Sequence, residues 1–236
     1  MPVVLAAFLA SAAAAQPADQ VDLEAGRAVV VGNIQAGSPQ NACFLCHGLD
    51  GAGDSSGAFP RLSGLPAWYL YKQLKDYASK TRPNDIMSPV ARALDDAQMR
   101  NVAAYYSART APYTPLPEVE PGVLQLGGAI AATGSAETGV QACGFCHGEL
   151  GAGWPPSVPY LAGQYAEYME LQLLLWRDDV RNNDPLGVME AVAKSLSREE
   201  IEAVSLYFES LRPSPDTSSG VGISGKSSEP GTGDLN

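Results

Sequence analysis

Apolar side chains along this chain recur every three or four positions and nowhere alternate for long. Behind Asp95 run Met99, Val102, Ala103 and Tyr106, and behind Ser197 run Ile201, Val204, Ser205 and Phe208. The spacing i, i+3, i+4, i+7 places each set on one face of a helix. Asp95 with Gln98, and Ser197 with Glu200, have the spacing of a capping box, in which the two side chains satisfy each other's first-turn N–H groups. The same periodicity predicts helices over 23–31, 67–79, 96–108 and 165–178. It predicts another over 123–133, weakened by the pair Gly127-Gly128. With no strand pattern competing, the expected fold is all-α with long loops.

The elements come in two sets because the chain repeats itself. Residues 41–53 read NACFLCHGLDGAG and residues 141–153 read QACGFCHGELGAG, an offset of 100. Tyr69, Gln73, Arg82, Asn84 and Asp85 then match Tyr168, Gln172, Arg181, Asn183 and Asp184, and Met87, Val90, Ala91 and Leu94 match Met189, Val192, Ala193 and Leu196. The expected organisation is a module over 16–109, a connector over 110–122 whose four prolines favour extended backbone, and a second module over 123–212. A Ser/Gly/Pro-rich tail over 213–236 is expected to be disordered. A Gly- and Pro-rich module of some ninety residues buries little surface, so it calls for a staple or a cofactor.

Each module supplies the chemistry for one. Cys43, Cys46 and His47, and again Cys143, Cys146 and His147, form C-x-x-C-H, the pattern of covalent c-type haem attachment. Two thiols at this spacing reach neighbouring substituents on one edge of the macrocycle, and the next residue aims its imidazole at the iron. The alternatives fit less well. One zinc held by both Cys pairs would not require the histidines, a thioredoxin-like pair needs a strand-helix context, and plain disulfides leave the histidines unexplained. The chain's only two histidines both stand in the motifs, so a sixth iron ligand falls to methionine. Met99 is matched by Ile201 and Met169 by Leu70, which reads as core packing. Met87 and Met189 alone match each other, in loops before helical segments, and are the candidate ligands.

Charge and the N-terminus bound the setting. With 26 acidic and 15 basic side chains the chain carries −11, which disfavours nucleic acid as a partner. Residues 1–15 form a short apolar run ending in alanines, without a charged start, and resemble a secretory signal too short to span a bilayer. Export would place the protein in the periplasm.

These residues together resemble the cytochrome c4 family of periplasmic dihaem class I cytochromes c. The resemblance rests on CFLCHG and CGFCHG, on PRLSGLPAWYLYKQL and PYLAGQYAEYMELQL, and on NDIMSPVARAL and NDPLGVMEAVAKSL. It implies two tandem class I cytochrome domains related by an approximate two-fold axis, with two covalent haem c groups bridged through their propionates. His47 with Met87, and His147 with Met189, would be the axial pairs. Tyr77 and Trp176 would pack on or hydrogen-bond the propionates, with ordinary core aromatics as the alternative. Arg82 and Arg181 would neutralise the propionates, with solvated surface positions as the alternative.

The resemblance also implies an electron shuttle, not an enzyme, working between a membrane bc complex or dehydrogenase and a terminal oxidase, and meeting the membrane only through such partners. Rival readings are a dedicated cytochrome subunit of a dehydrogenase, or a dihaem enzyme such as a peroxidase or a thiosulfate-oxidising cytochrome. The lack of a third histidine counts against a histidine-assisted peroxide site.

Overall fold

The computed structural model of the protein describes residues 21–32, 42–155, 157–184 and 186–212. The expected signal segment and tail lie outside them. In the first half, α1 (Leu23–Val30) opens on Asp22, whose carboxylate accepts from the N–H groups of Glu24 and Ala25 at 2.9 Å. It crosses α5 (Asp96–Ser107), which begins with the expected capping box. Between them come α2 (Phe44–His47), α3 (Ala67–Ser79) and α4 (Met87–Arg92), with α3 lying against both α4 and α5.

The second half repeats this plan. Its α6 (Pro121–Thr133) begins within the segment expected as connector, because proline at the first helical position gives up only an N–H that has no partner there. It crosses α10 (Arg198–Ser210), which carries the second capping box. Between them lie α7 (Cys143–His147), a 3-10 turn at Glu149–Gly151, α8 (Ala166–Arg177) and α9 (Val188–Ser195). Among the described residues β pairing is limited to isolated bridges at Ser135–Val140 and Trp154–Val158.

The glycines that weaken the helical pattern explain the crossings. A Cβ on Gly26 would stand 2.2 Å from the carbonyl oxygen of Asn101, and one on Gly127 would stand 2.1 Å from that of Ala203. Each half thus brings its first and last helices to backbone contact at one glycine. Around the first crossing Val29, Val30, Leu65, Leu70, Met99, Val102 and Tyr106 form a core. Around the second, Ile130, Leu173, Leu196, Ile201 and Val204 do so, with Met169 and Phe208 beside them. Met99 and Met169 are core residues, as their unmatched positions predict.

The halves are tied by reciprocal polar contacts. Gln164 clips the backbone of Arg61, accepting from its N–H at 3.0 Å and donating to its carbonyl at 2.9 Å. Tyr165 donates to the carbonyl of Ala52 at 2.9 Å and Tyr160 to that of Ser63. The Arg61 guanidinium donates to the connector carbonyls of Ala111 and Pro112 and stacks on Tyr113. At the other end Arg82 of the first half donates to Gln172, while Arg181 of the second donates to Gln73. This exchange is what an approximate two-fold axis produces.

Candidate haem centres

Each C-x-x-C-H segment is a single helical turn, closed by a glycine in the left-handed region, Gly48 (φ 75°) or Gly148 (φ 76°). The loop beyond folds back, so that Gly53 donates to the carbonyl of His47 at 3.0 Å and Gly153 to that of His147 at 2.6 Å. The two imidazoles are buried. Nδ1 of His47 lies 3.2 Å from the carbonyl oxygen of Pro60, and Nδ1 of His147 lies 2.9 Å from that of Pro159. A carbonyl accepts only, so Nδ1 carries the proton and Nε2 presents its lone pair. Burial pushes both imidazoles below the ordinary histidine range, which keeps them in the neutral, metal-binding form.

The cysteines stand in pairs, one pair in each half. Burial pushes the thiols of Cys43 and Cys143 up to about 11, so both are protonated near neutrality. Among the described residues no third Cys, His, Asp or Glu joins either pair to make a metal cluster. Two cysteines without further ligands suit thioether attachment better than a four-ligand zinc site.

The two methionines are not in loops. Met87 is the first residue of α4 and Met189 the second residue of α9, both half-buried. The Met87 N–H donates to Oδ1 of Asn84 at 2.8 Å, and that of Met189 donates to Oδ2 of Asp184 at 2.6 Å. The Asn-Asp pair preceding each methionine thus anchors the start of its helix, which sequence periodicity alone did not show for such short segments.

Arg82 and Arg181 are neither solvated nor at the surface; both are 4% exposed. Arg82 donates to Gln73 at 2.9 Å and to Gln172 and Tyr168 at 2.6 Å. Arg181 donates to Gln172 and Asn183 at 2.9 Å and to Gln73 at 3.3 Å. Tyr77 lies under Arg82 at 4.7 Å and Trp176 under Arg181 at 3.6 Å. The carboxylate in this network, Asp76, bonds Lys72 and Asn183 rather than either guanidinium.

Two buried cations therefore face neutral oxygens. Their field is visible in Tyr69: burial works against ionisation, yet Arg181 and Arg82 pull its hydroxyl below the ordinary value. Burial, and then the charge of Arg82, push Arg181 below its own. The Trp176 Nε1–H is buried with no partner. A pair of carboxylates at this interface would meet all of these demands, and the propionates of two haems are such a pair. The residues fit the group. Gln73, Gln172 and Asn183 were legible only as matches between the two copies, with nothing to mark them as one cluster.

Comparison with known proteins agrees. Residues 33–107 match the family model described as cytochrome c. Over 185 residues the chain is 37% identical to cytochrome c4 of Thiocapsa roseopersicina, spanning 77% of this chain and 94% of that one. The chain belongs to the cytochrome c4 family. This c4-type chain is also 41% identical over 167 residues to the thiosulfate dehydrogenase electron acceptor of Stutzerimonas stutzeri strain A1501, covering 71% of itself and 77% of that relative. Among solved structures it resembles the as-isolated form of thiosulfate dehydrogenase (TsdBA) from Marichromatium purpuratum, with a TM-score of 0.71 at 32% identity. That match covers 83% of this chain and 44% of the other. As a member of the family this c4-type chain carries covalent haem c in two tandem all-α domains and transfers electrons. No described helix is long and apolar enough to cross a membrane.

Proposed function

We propose that the protein is a periplasmic shuttle that takes single electrons from a dehydrogenase and passes them towards a terminal oxidase, with a thiosulfate dehydrogenase as the donor. The relative from Stutzerimonas stutzeri, whose name states that role, supports this donor over a bc complex. In this reading Cys43 and Cys46 hold the first haem, with His47 and Met87 as axial ligands. Cys143 and Cys146 hold the second, with His147 and Met189. A haem iron between imidazole and thioether supplies a one-electron couple that favours the ferrous form.

The protein's own residues do the rest. Pro60 and Pro159 orient the two imidazoles and raise their basicity through the Nδ1 bond. Arg82, Arg181 and the Trp176 N–H bind the propionates, and the Gln73–Gln172 exchange holds the two centres in one rigid relation. The observation that carries the reading is the doubled geometry, a buried neutral imidazole pinned through Nδ1 in each half and a methionine matched in register.

The test is stopped-flow mixing of the oxidised holoprotein with thiosulfate, with and without purified thiosulfate dehydrogenase. Reduction of both haems only when the dehydrogenase is present is the expected result. Consumption of thiosulfate or peroxide by the chain alone would make it an enzyme. Reduction by a bc complex but not by the dehydrogenase would overturn the donor.

A further inference from the structure

The two haem motifs are followed by loops built on one backbone plan but finished differently. In the first half Asp50 and Asp54 close the loop, accepting from the N–H groups of Ala52 at 3.1 Å and Ser56 at 2.8 Å. In the second half those positions are Leu150 and Trp154. Both side chains are more than half exposed, at 62% and 57%, and Phe145 in the adjoining turn is 78% exposed. The three residues project from one folded segment. The turn holding Leu150 packs on α7, and Trp154 lies against Gly148, its Nε1 3.6 Å from where a Cβ there would stand. Leu150 also sits at φ 56°, a left-handed conformation that a leucine occupies at a cost. The first half also exposes apolar side chains at its motif, Leu45 at 64% and Leu49 at 50%, but without an exposed aromatic or a left-handed leucine, so it is the second-half cluster that calls for a use outside the molecule.

Charge identifies what covers it. The first half, residues 16–109, has nine acidic and nine basic side chains, while the second, 123–212, has twelve acidic and five basic. The whole polarity of the folded pair therefore lies in the half that carries the cluster, and Glu149 is exposed within it. We infer that Phe145, Leu150 and Trp154 form the docking face for the electron donor, a redox protein whose contact surface has an apolar centre and a basic rim. This inference rests on the reading that the donor is a separate protein. Electrons then enter at the second haem and reach the first across the Gln73–Gln172 interface. The neutral first half is left for the acceptor.

The double variant Leu150→Asn/Trp154→Asn tests the face, with Leu45→Asn/Leu49→Asn as the matching change in the first half. Asparagine tolerates the left-handed conformation, so the first variant relieves strain and should not lower the melting temperature of the holoprotein. The second-order rate constant for reduction by thiosulfate-reduced thiosulfate dehydrogenase should fall about tenfold for the second-half variant, the scale set by losing a central aromatic anchor. It should be nearly unchanged for the first-half variant. Rates should fall steeply with salt, and reduction by ascorbate should be the same in all forms.

Equal rates in the two variants, or salt-independent reduction, would overturn the proposal. A fall in the ascorbate rate would do so too, since the haem itself would then have been disturbed. If the dehydrogenase fails to reduce even the unaltered protein, the donor assignment is what fails. The same variants are then read against a purified cytochrome bc complex, where equal rates would overturn the docking face itself.

Discussion

Replacing Gly127 by alanine probes how the second half is assembled. The new Cβ would stand 2.1 Å from the carbonyl oxygen of Ala203, 2.6 Å from its carbon and 2.7 Å from the Cβ of Tyr207, where ordinary contact begins near 3.4 Å. Both obstacles nearest the methyl belong to helix backbone, so no rotamer change relieves the clash, and α6 and α10 must part by about 1 Å. Over-packing of this kind costs about 1–3 kcal/mol or somewhat more, and the better helix propensity of alanine returns about 1 kcal/mol. With backbone as the obstacle the cost lies at the upper end of that range, so the net loss is about 2 kcal/mol, which for a chain of this length lowers the melting temperature by about 4–8 °C. Gly122 is the control, since a Cβ there meets nothing within 4 Å and Gly122→Ala should be neutral or slightly stabilising. The damage should also be local. The carbonyl of Ala131 in α6 lies 3.3 Å from where a Cβ on Gly144 in α7 would stand, so movement of α6 disturbs the second haem motif and not the first. Calorimetry of the holoprotein, with optical spectra of each haem, reads both effects. A Gly127→Ala protein as stable as the Gly122→Ala control would refute the close crossing.

Three further outcomes follow from the same geometry. Met87→Ala and Met189→Ala should each abolish the low-spin thioether spectrum of one haem only, and a variant that left both haems unchanged would remove that methionine from the ligand set. Arg181→Met takes a buried cation from the interface, which favours the ferric form; optical redox titration should show a fall of about 60 mV, a tenfold change for one electron. No shift, or a rise, would mean that the guanidinium does not face the propionates. Glu209 is buried, and its burial and then the charge of Glu167 hold its carboxyl above the ordinary range. A raised carboxylate destabilises the fold when ionised, so Glu209→Gln should raise the melting temperature at neutral pH by about 2 °C. That gain should shrink as pH falls towards the ordinary carboxylate range and vanish below it, where Glu209 is protonated in both folded and unfolded chains.

Local rules made much of this architecture legible. The capping boxes at Asp95 and Ser197 depend on residues three apart, and both helices begin where that spacing places them. The haem motifs are equally local. Harder to read were features that join distant segments. Gly127 weakens α6 as a sequence pattern but is required by Ala203, some 76 positions later, which no window over α6 contains. Arg82 and Arg181 carry the composition of a surface and are buried because each finds the other half's glutamine. The methionines were expected in loops, because α4 and α9 are too short to show a period of 3.6 and are fixed by Asn84 and Asp184 instead. Leu150 and Trp154 are exposed, which nothing local in the sequence marks.

Intact-mass and peptide-mass spectrometry of the mature protein, made in a host competent for cytochrome c assembly, tests the central claim most directly. Two haem additions per chain are predicted, one on the peptide bearing Cys43 and Cys46 and one on that bearing Cys143 and Cys146. A chain with one haem, or with intact thiols in either peptide, would contradict it.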